Sequence, residues 1–449
     1  MLFQRRRILS GHSHNLTVQV AKKMDVRIIL LLLVNFAVIS FGRKSYEGWQ
    51  VYRTAPLTKL ALEGLHKHVF SDPKFQVWSQ PILNKPAEIV VCPKSRAKLL
   101  NILKKLNLSP KPFILNIEKF LEKERKEIEN IKKQEIYGLI NYVTFERYMD
   151  FTEITDYLNE VAANYPSIAS LETIGSSFEG RPQNLLKLSS GSGSKKKIGV
   201  FINAAIHAAE WIGPAVALNA IHQLTANLAN NQAFLDMANW YILPVANPDG
   251  YVYSWDHDRL WRKTRRPNKG SKCVGADPNR SFDVHWSEGR ETNPCVAFYQ
   301  GPNVFSEVES KNIADYLIPN GLDGNLHLYM VLHTYGQVLL HPYGYTTDPP
   351  ININDLALFG SEAASALKAV RGTKYEVSNI TNAFYHPYGN SEDFAYDQAE
   401  IPFTYTWELP GGAENSHDVP LSEIKPVVEE TWEAFKSLVQ SVYIARKNL

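Results

Sequence analysis

The feature that most restricts this chain is a set of apolar runs that lack a polar face. KKIGVFINAAIH, residues 196–207, is apolar from Ile198 to Ile206 apart from one asparagine. ANWYILPVANPDG (238–250), LYMVLHTYGQVLL (328–340) and PFTYTWEL (402–409) have the same character. A strand solvated on one face alternates apolar and polar residues, whereas a strand that is apolar throughout is covered on both faces, as in parallel sheets. Between the runs lie segments of helical period: TEITDYLNEVAANYP, AVALNAIHQLTANLA, SEVESKNIADYLI, DLALFGSEAASALKAV and LSEIKPVVEETWEAFKSLVQSVY. Alternation of the two signals from about Thr144 onward predicts one α/β domain, a mixed, mostly parallel central sheet covered by helices on both faces.

Upstream the pattern differs. From about Tyr46 to Pro110, WQVYRTAP and AEIVVCP read as strands, and LTKLALEGLHKHV and RAKLLNILKKLN as helices, which fits a small α+β domain. NIEKFLEKERKEIENIKKQE, residues 116–135, is densely charged with leucine and isoleucine at helical spacing, the pattern of an exposed connecting helix. Farther upstream, MDVRIILLLLVNFAVISFG (24–42) has a basic flank, an apolar run from Ile28 to Ile39 and small residues Ser40 and Gly42 where export processing needs them. About a dozen apolar residues are too few to span a bilayer, so this segment reads as a secretory signal starting at Met24. Residues 1–23 have no place in that scheme. The mature chain is expected to be secreted and free of the membrane.

The formal charge of +2 argues against a nucleic-acid protein, which would normally show a concentrated basic face. Of three cysteines, Cys273 and Cys295 lie near enough in sequence to close a short loop, and Cys92 stands alone. Such a loop would contribute on the order of 3 kcal/mol. The alternative, three buried free thiols, fits an exported chain poorly.

The run 196–207 ends in His207, and Glu210 follows within one helical turn. A strand delivers its last residues to the carboxyl edge of the sheet, where α/β proteins bind ligands. Imidazole and carboxylate suit zinc, but a catalytic zinc needs a third protein ligand and leaves a fourth position to water. His333 ends the apolar run YMVLH in the same way, and GADPNR supplies Asp277 as an acceptor for an imidazole N–H.

Taken together with FEGRPQNLLKLSSG, IHAAEWIG, NPDGYVYSW, RLWRKTRRP, CVGADPNRSF, LHTYGQVLLHPYGYT, AFYHPYGNSEDFAYD and FTYTWEL, the chain from about Tyr46 to Val442 resembles the secreted zinc metallocarboxypeptidases of the pancreatic carboxypeptidase A and B type. The resemblance implies one Zn2+ held by His207, Glu210 and His333, with Asp277 behind them. It implies Glu408 as general base and Arg262 as the cation facing the oxyanion. It further implies Asn279 and Arg280 clamping the substrate's terminal carboxylate, Tyr385 closing over the bound C-terminus, and Tyr335 contacting substrate. The upstream domain takes the part of a prosegment that covers the cleft. The implied division is an N-terminal extension and signal (1–42), an activation domain (43–115), a connecting helix (116–135) cut by a trypsin-like protease at Lys132 or Lys133, and a catalytic domain (136–449).

The resemblance, aligned without a gap from Tyr385, further implies that Glu392 falls at the base of the specificity pocket, which is apolar in A-type enzymes and aspartate in B-type enzymes. An acid there implies release of C-terminal lysine or arginine. Ala209 replaces the family's usual arginine, Asn390 a pocket glycine, and Pro410 the arginine that A-type enzymes carry. All three changes touch substrate binding and none touches the zinc set. The expectation is a monomeric, secreted zymogen acting on peptide C-termini. The alternatives are an A-type preference, a non-catalytic secreted peptide-binding protein of the same fold, and a zinc amidase acting on small molecules.

Overall fold

The computed structural model describes residues 42–78, 80–135, 143–191, 197–289, 291–384, 386–411 and 419–447. The chain divides into Met1–Lys44 and Ser45–Leu449, and the second unit contains all the elements below. The signal expected at 24–42 and the closing tyrosine Tyr385 fall outside the described residues, apart from Gly42.

A four-stranded antiparallel sheet comes first, in the order β2-β3-β1-β4: β1 (Gln50–Pro56), β2 (Phe75–Val77), β3 (Pro86–Val91) and β4 (Lys111–Ile114). Helices α1 (Lys59–Leu65), extended by a π-helical turn to Phe70, and α2 (Arg96–Lys105) pack on one face. α3 (Ile117–Glu135) is the charged helix, and it buries Ile117, Leu121 and Ile128 while its other faces carry lysine and glutamate.

The large sheet has eight strands in the order β11-β10-β12-β9-β7-β8-β6-β5. β5 (Ala169–Ser176) and β6 (Pro182–Leu188) form an antiparallel edge. β7 (Ile198–Ala204), β8 (Ala238–Leu243), β9 (Leu328–Thr334) and β12 (Phe403–Leu409) form the parallel middle. β10 (Val338–His341) runs antiparallel to β12 and parallel to β11 (Glu376–Asn379). This is the mixed, mostly parallel sheet that the apolar runs imply.

Every residue of β7, β9 and β12 is buried, and alternate side chains enter two separate cores. Val200, Ile202, Met330, Leu332, Tyr405 and Trp407 face α5 (Ile212–Leu224), α9 (Ile353–Arg371) and α11 (Leu421–Lys447). Phe201, Tyr329 and Val331 face α8 (Val308–Leu322) and α10 (Ser391–Asp397). α4 (Phe151–Asn164), α6 (Leu228–Met237) and α7 (Pro248–Asp256) complete the helical layers. α4 is started by a capping box of Asp150 and Glu153.

Two runs read as single elements are divided. The chain breaks at Thr225–Asn227, where the Thr225 hydroxyl donates back to the Ile221 carbonyl, so 215–229 falls into α5 and α6. Residues 328–340 form β9 and β10, which lie on opposite sides of β12. No helix of the described residues is long and apolar enough to cross a membrane.

Candidate active site

The strands deliver their polar residues to one place. β7 ends at Ala204, and Ala205 takes a left-handed backbone, φ +50°, which turns the chain sharply before His207. Glu210 lies just before α5, and His333 is the last residue but one of β9. Glu408 is level with His333 on the neighbouring strand β12. All four are buried.

Glu210 bridges the histidines: Oε1 lies 2.9 Å from His207 Nδ1 and Oε2 3.0 Å from His333 Nδ1. One ligand atom from each of the three can be chosen so that all lie within 4.8 Å of one another, the only such set of side chains among the described residues. Two imidazoles and a carboxylate, converging in a buried pocket, are the donor set that zinc takes. The far nitrogen of His207, Nε2, lies 3.0 Å from Asp277 Oδ1, which fixes the ring so that Nδ1 faces the centre.

Asp277 is also the anchor of Arg262, whose Nε and Nη2 donate to Oδ2 at 3.1 and 3.0 Å. Arg262 Nη1 is 3.6 Å from Glu210 Oε1, so the guanidinium borders the centre. Burial opposes a charge on Asp277, but Arg262 and His207 outweigh it and hold the carboxyl well below the usual range. Burial pushes the Glu408 carboxyl up to about 7 despite the nearby His333.

Asn279 and Arg280 follow in a single 3₁₀ turn capped by Asp277. Asn279 Oδ1 accepts from Ser391 N at 2.8 Å, and its Nδ2 lies 3.3 Å from both His333 Nε2 and Glu392 Oε2. Glu392 is buried on α10 and accepts from Thr406 Oγ1 at 2.7 Å and from Ser391 Oγ at 3.1 Å. Burial again opposes ionisation, but the His333 ring and the Thr406 hydroxyl bring the Glu392 carboxyl down to about 2. Glu392 is thus hydrogen-bonded on both oxygens, to Thr406, Ser391 and Asn279.

The upstream domain reaches the same cleft. Arg280 Nη2 donates to Gln80 Oε1 at 3.4 Å, and the Tyr335 hydroxyl donates to Glu88. Ile82 packs with Val338, Leu340 and Phe384, and Lys85 Nζ donates to the Gly336 carbonyl at 2.7 Å. Gly336 allows this approach, since a Cβ there would meet Ile82 Cδ1 at 2.3 Å. On α3, Lys133 is exposed while Lys132 is engaged by Asp150 and Glu153. Cys273 and Cys295 are bridged, with Cα atoms 5.1 Å apart, and Cys92 is a free thiol.

Of the residues singled out in the sequence, His207, Glu210, His333, Glu408, Arg262, Asp277, Asn279, Arg280 and Glu392 all meet at this end of the sheet. Thr406 was not singled out, though it stands two residues before Glu408 on the same face of β12, a period-two signal. Gln80 and Ser391 carried no signal.

Residues 154–434 match the zinc carboxypeptidase family and residues 52–124 the carboxypeptidase activation peptide. Carboxypeptidase A4 of Mus musculus is 35% identical over 407 residues, covering 89% of this chain and 95% of its own. Carboxypeptidase B of Astacus astacus is 40% identical over 298 residues, covering 66% of this chain and 97% of its own. The crystal structure of the carboxypeptidase A from Helicoverpa armigera superimposes with a TM-score of 0.84 at 29% identity, over 90% of this chain and all of that one. The chain thus belongs to the zinc carboxypeptidase family, a zinc enzyme acting on peptide C-termini and preceded by the family's activation peptide.

Proposed function

We propose that the chain is exported as a latent precursor, is cut by a trypsin-like protease at Lys132 or Lys133, and as a mature monomer releases single C-terminal residues, lysine and arginine above others. The apolar segment within 24–42 and the Cys273–Cys295 bridge support export. One observation carries the basic preference: Glu392 is a buried carboxylate at the base of the site, hydrogen-bonded to Thr406 and Ser391 and beside Asn279. The Thr406 and Ser391 hydroxyls hold one oxygen each at 2.7 and 3.1 Å, and the longer contacts from Asn279 Nδ2, at 3.4 and 3.3 Å, are the ones that an ammonium or guanidinium would displace. A desolvated anion favours the substrate that brings a cation to it and rejects an acidic one.

Zinc held by His207, Glu210 and His333 would polarise the scissile carbonyl and a water molecule. Glu408, with its carboxyl near 7, is suited to take that water's proton and pass it to the departing amine. Arg262, oriented by Asp277, opposes the charge that builds on the carbonyl oxygen. Arg280 and Asn279 grip the terminal carboxylate, and a guanidinium does so bidentately. With the grip at a fixed distance from the reacting carbonyl, only the last residue is released.

The test is steady-state hydrolysis, after trypsin treatment, of matched peptides ending in arginine, lysine, leucine, phenylalanine or glutamate, with and without a zinc chelator. Chelator-sensitive turnover led by arginine and lysine is expected, and none when the C-terminus is an amide. Turnover led by leucine or phenylalanine would overturn the role given to Glu392.

A further inference from the structure

The upstream domain has a core of its own, formed by Tyr52, Leu62, Val69, Phe70, Ile89, Leu99 and their neighbours, and one residue in it comes from far down the chain, Phe298. Phe298 stands three residues after Cys295, in the loop fixed by the Cys273 bridge. Its ring meets Phe70 edge-on at 6.0 Å and His66 at 5.9 Å, and it is only 8% exposed. Toward the catalytic side, the Arg262 Cζ lies 5.1 Å from the ring centroid and the Arg280 Cζ 5.8 Å, both within cation–π range.

The apolar cover on Phe298 belongs to the part of the chain that activation removes. On the catalytic side the ring lies against the two arginines, so with its apolar cover gone it becomes a large aromatic bordering the cleft, where an exposed aromatic marks a contact surface. We propose that Phe298 reads the penultimate residue of the substrate and favours an apolar or aromatic side chain there. This rests on the carboxypeptidase reading above. Arg280 takes the terminal carboxylate, Glu392 the terminal side chain, and Arg262 the carbonyl of the penultimate residue. A ring lying against both arginines borders the bond between the last two residues, and the penultimate side chain is the group left to meet it. The same two cations disfavour a penultimate lysine.

The experiment compares trypsin-activated wild type, F298A and F298L on peptides ending in X-Arg, with X phenylalanine, leucine, serine or lysine. The expected wild-type order is phenylalanine and leucine ahead of serine by about tenfold in kcat/KM, with lysine last. In F298A the ratio of phenylalanine to serine falls to within about twofold, and F298L, which keeps an apolar surface should the alanine variant fold poorly, lies between. An unchanged ratio in both variants, or an equal loss for every X, overturns the assignment and leaves Phe298 as an anchor for the prosegment or a support for the arginines. Absence of turnover by the wild type on these peptides is a separate result: with leucine- or phenylalanine-ending peptides turned over it removes the role given to Glu392, and with none turned over it removes the catalytic reading itself.

Discussion

Glu408 and Glu392 are both buried carboxylates, yet one is pushed up to about 7 and the other down to about 2. The difference follows from their partners: burial dominates at Glu408, while Glu392 accepts from two hydroxyls beside His333. Two acids held at opposite ends of the range suit two different tasks, proton transfer and charge recognition. E408Q should therefore lower kcat by about 10²- to 10⁴-fold with zinc content and KM nearly unchanged, as steady-state kinetics and metal analysis would show. E392Q should cost roughly a hundredfold in kcat/KM on arginine-ending peptides and leave leucine-ending ones within a few-fold; a parallel loss on both would mean that Glu392 only supports His333. His207 and His333 could be found in the sequence because each closes an apolar run and stands out against its neighbours, whereas Glu408 was reached only through the resemblance. Gln80, Ser391 and Phe298 lie in or beside loops without periodicity, and their partners are brought together only by the fold.

Among the elements, the strands that are apolar throughout were legible, and the marginal ones were not. β5 and β6 mix exposed and buried residues without clean alternation, and β2 and β4 are three and four residues long, too short for any period to register. α3 was legible, but not what holds its end. Lys132 Nζ lies 2.9 Å from Asp150 and 2.8 Å from Glu153, the two capping residues of α4, and the Glu135 carboxylate accepts from Arg147 at 2.7 Å. A protease binds its substrate extended, so the last turn of α3 must open before a cut at Lys132 or Lys133, and these ion pairs oppose the opening. The Lys132 pairs are partly exposed and worth at most about 1 kcal/mol each, whereas Arg147 is buried. K132Q should accordingly speed trypsin cleavage after Lys133 by roughly twofold to fivefold without changing the mature enzyme, and added salt should speed the wild type similarly. N-terminal sequencing of the product decides the site: if K132Q stops cleavage, Lys132 is the bond cut.

Across the whole molecule, the upstream domain is joined to the catalytic one at several separate places. Leu83 N donates to the Ala383 carbonyl at 2.9 Å, Arg259 Nε to Glu124 at 2.8 Å, and Tyr46 to Asp258. Two titratable groups at this interface respond to pH in opposite senses. Burial, and then the charge of Arg280, lower His66 from 6.5 to about 4, so the docked state binds fewer protons than the free one and loses stability as pH falls from 6.5 to 4. Burial raises Glu88 from 4.5 to about 7 in spite of Arg53, so the docked state binds more protons there and gains stability as pH falls from 7 to 4.5. The two oppose each other over the same window, so their effect is read as the change in slope when either is removed. Removing either exposes the other: H66Q should grow more stable toward pH 4.5, and E88Q less stable. Calorimetric melting of the uncleaved wild type, H66Q and E88Q between pH 4 and 7.5 reads the two slopes as differences from the wild type, and differences of the same sign would mean that the interface does not balance these groups against each other.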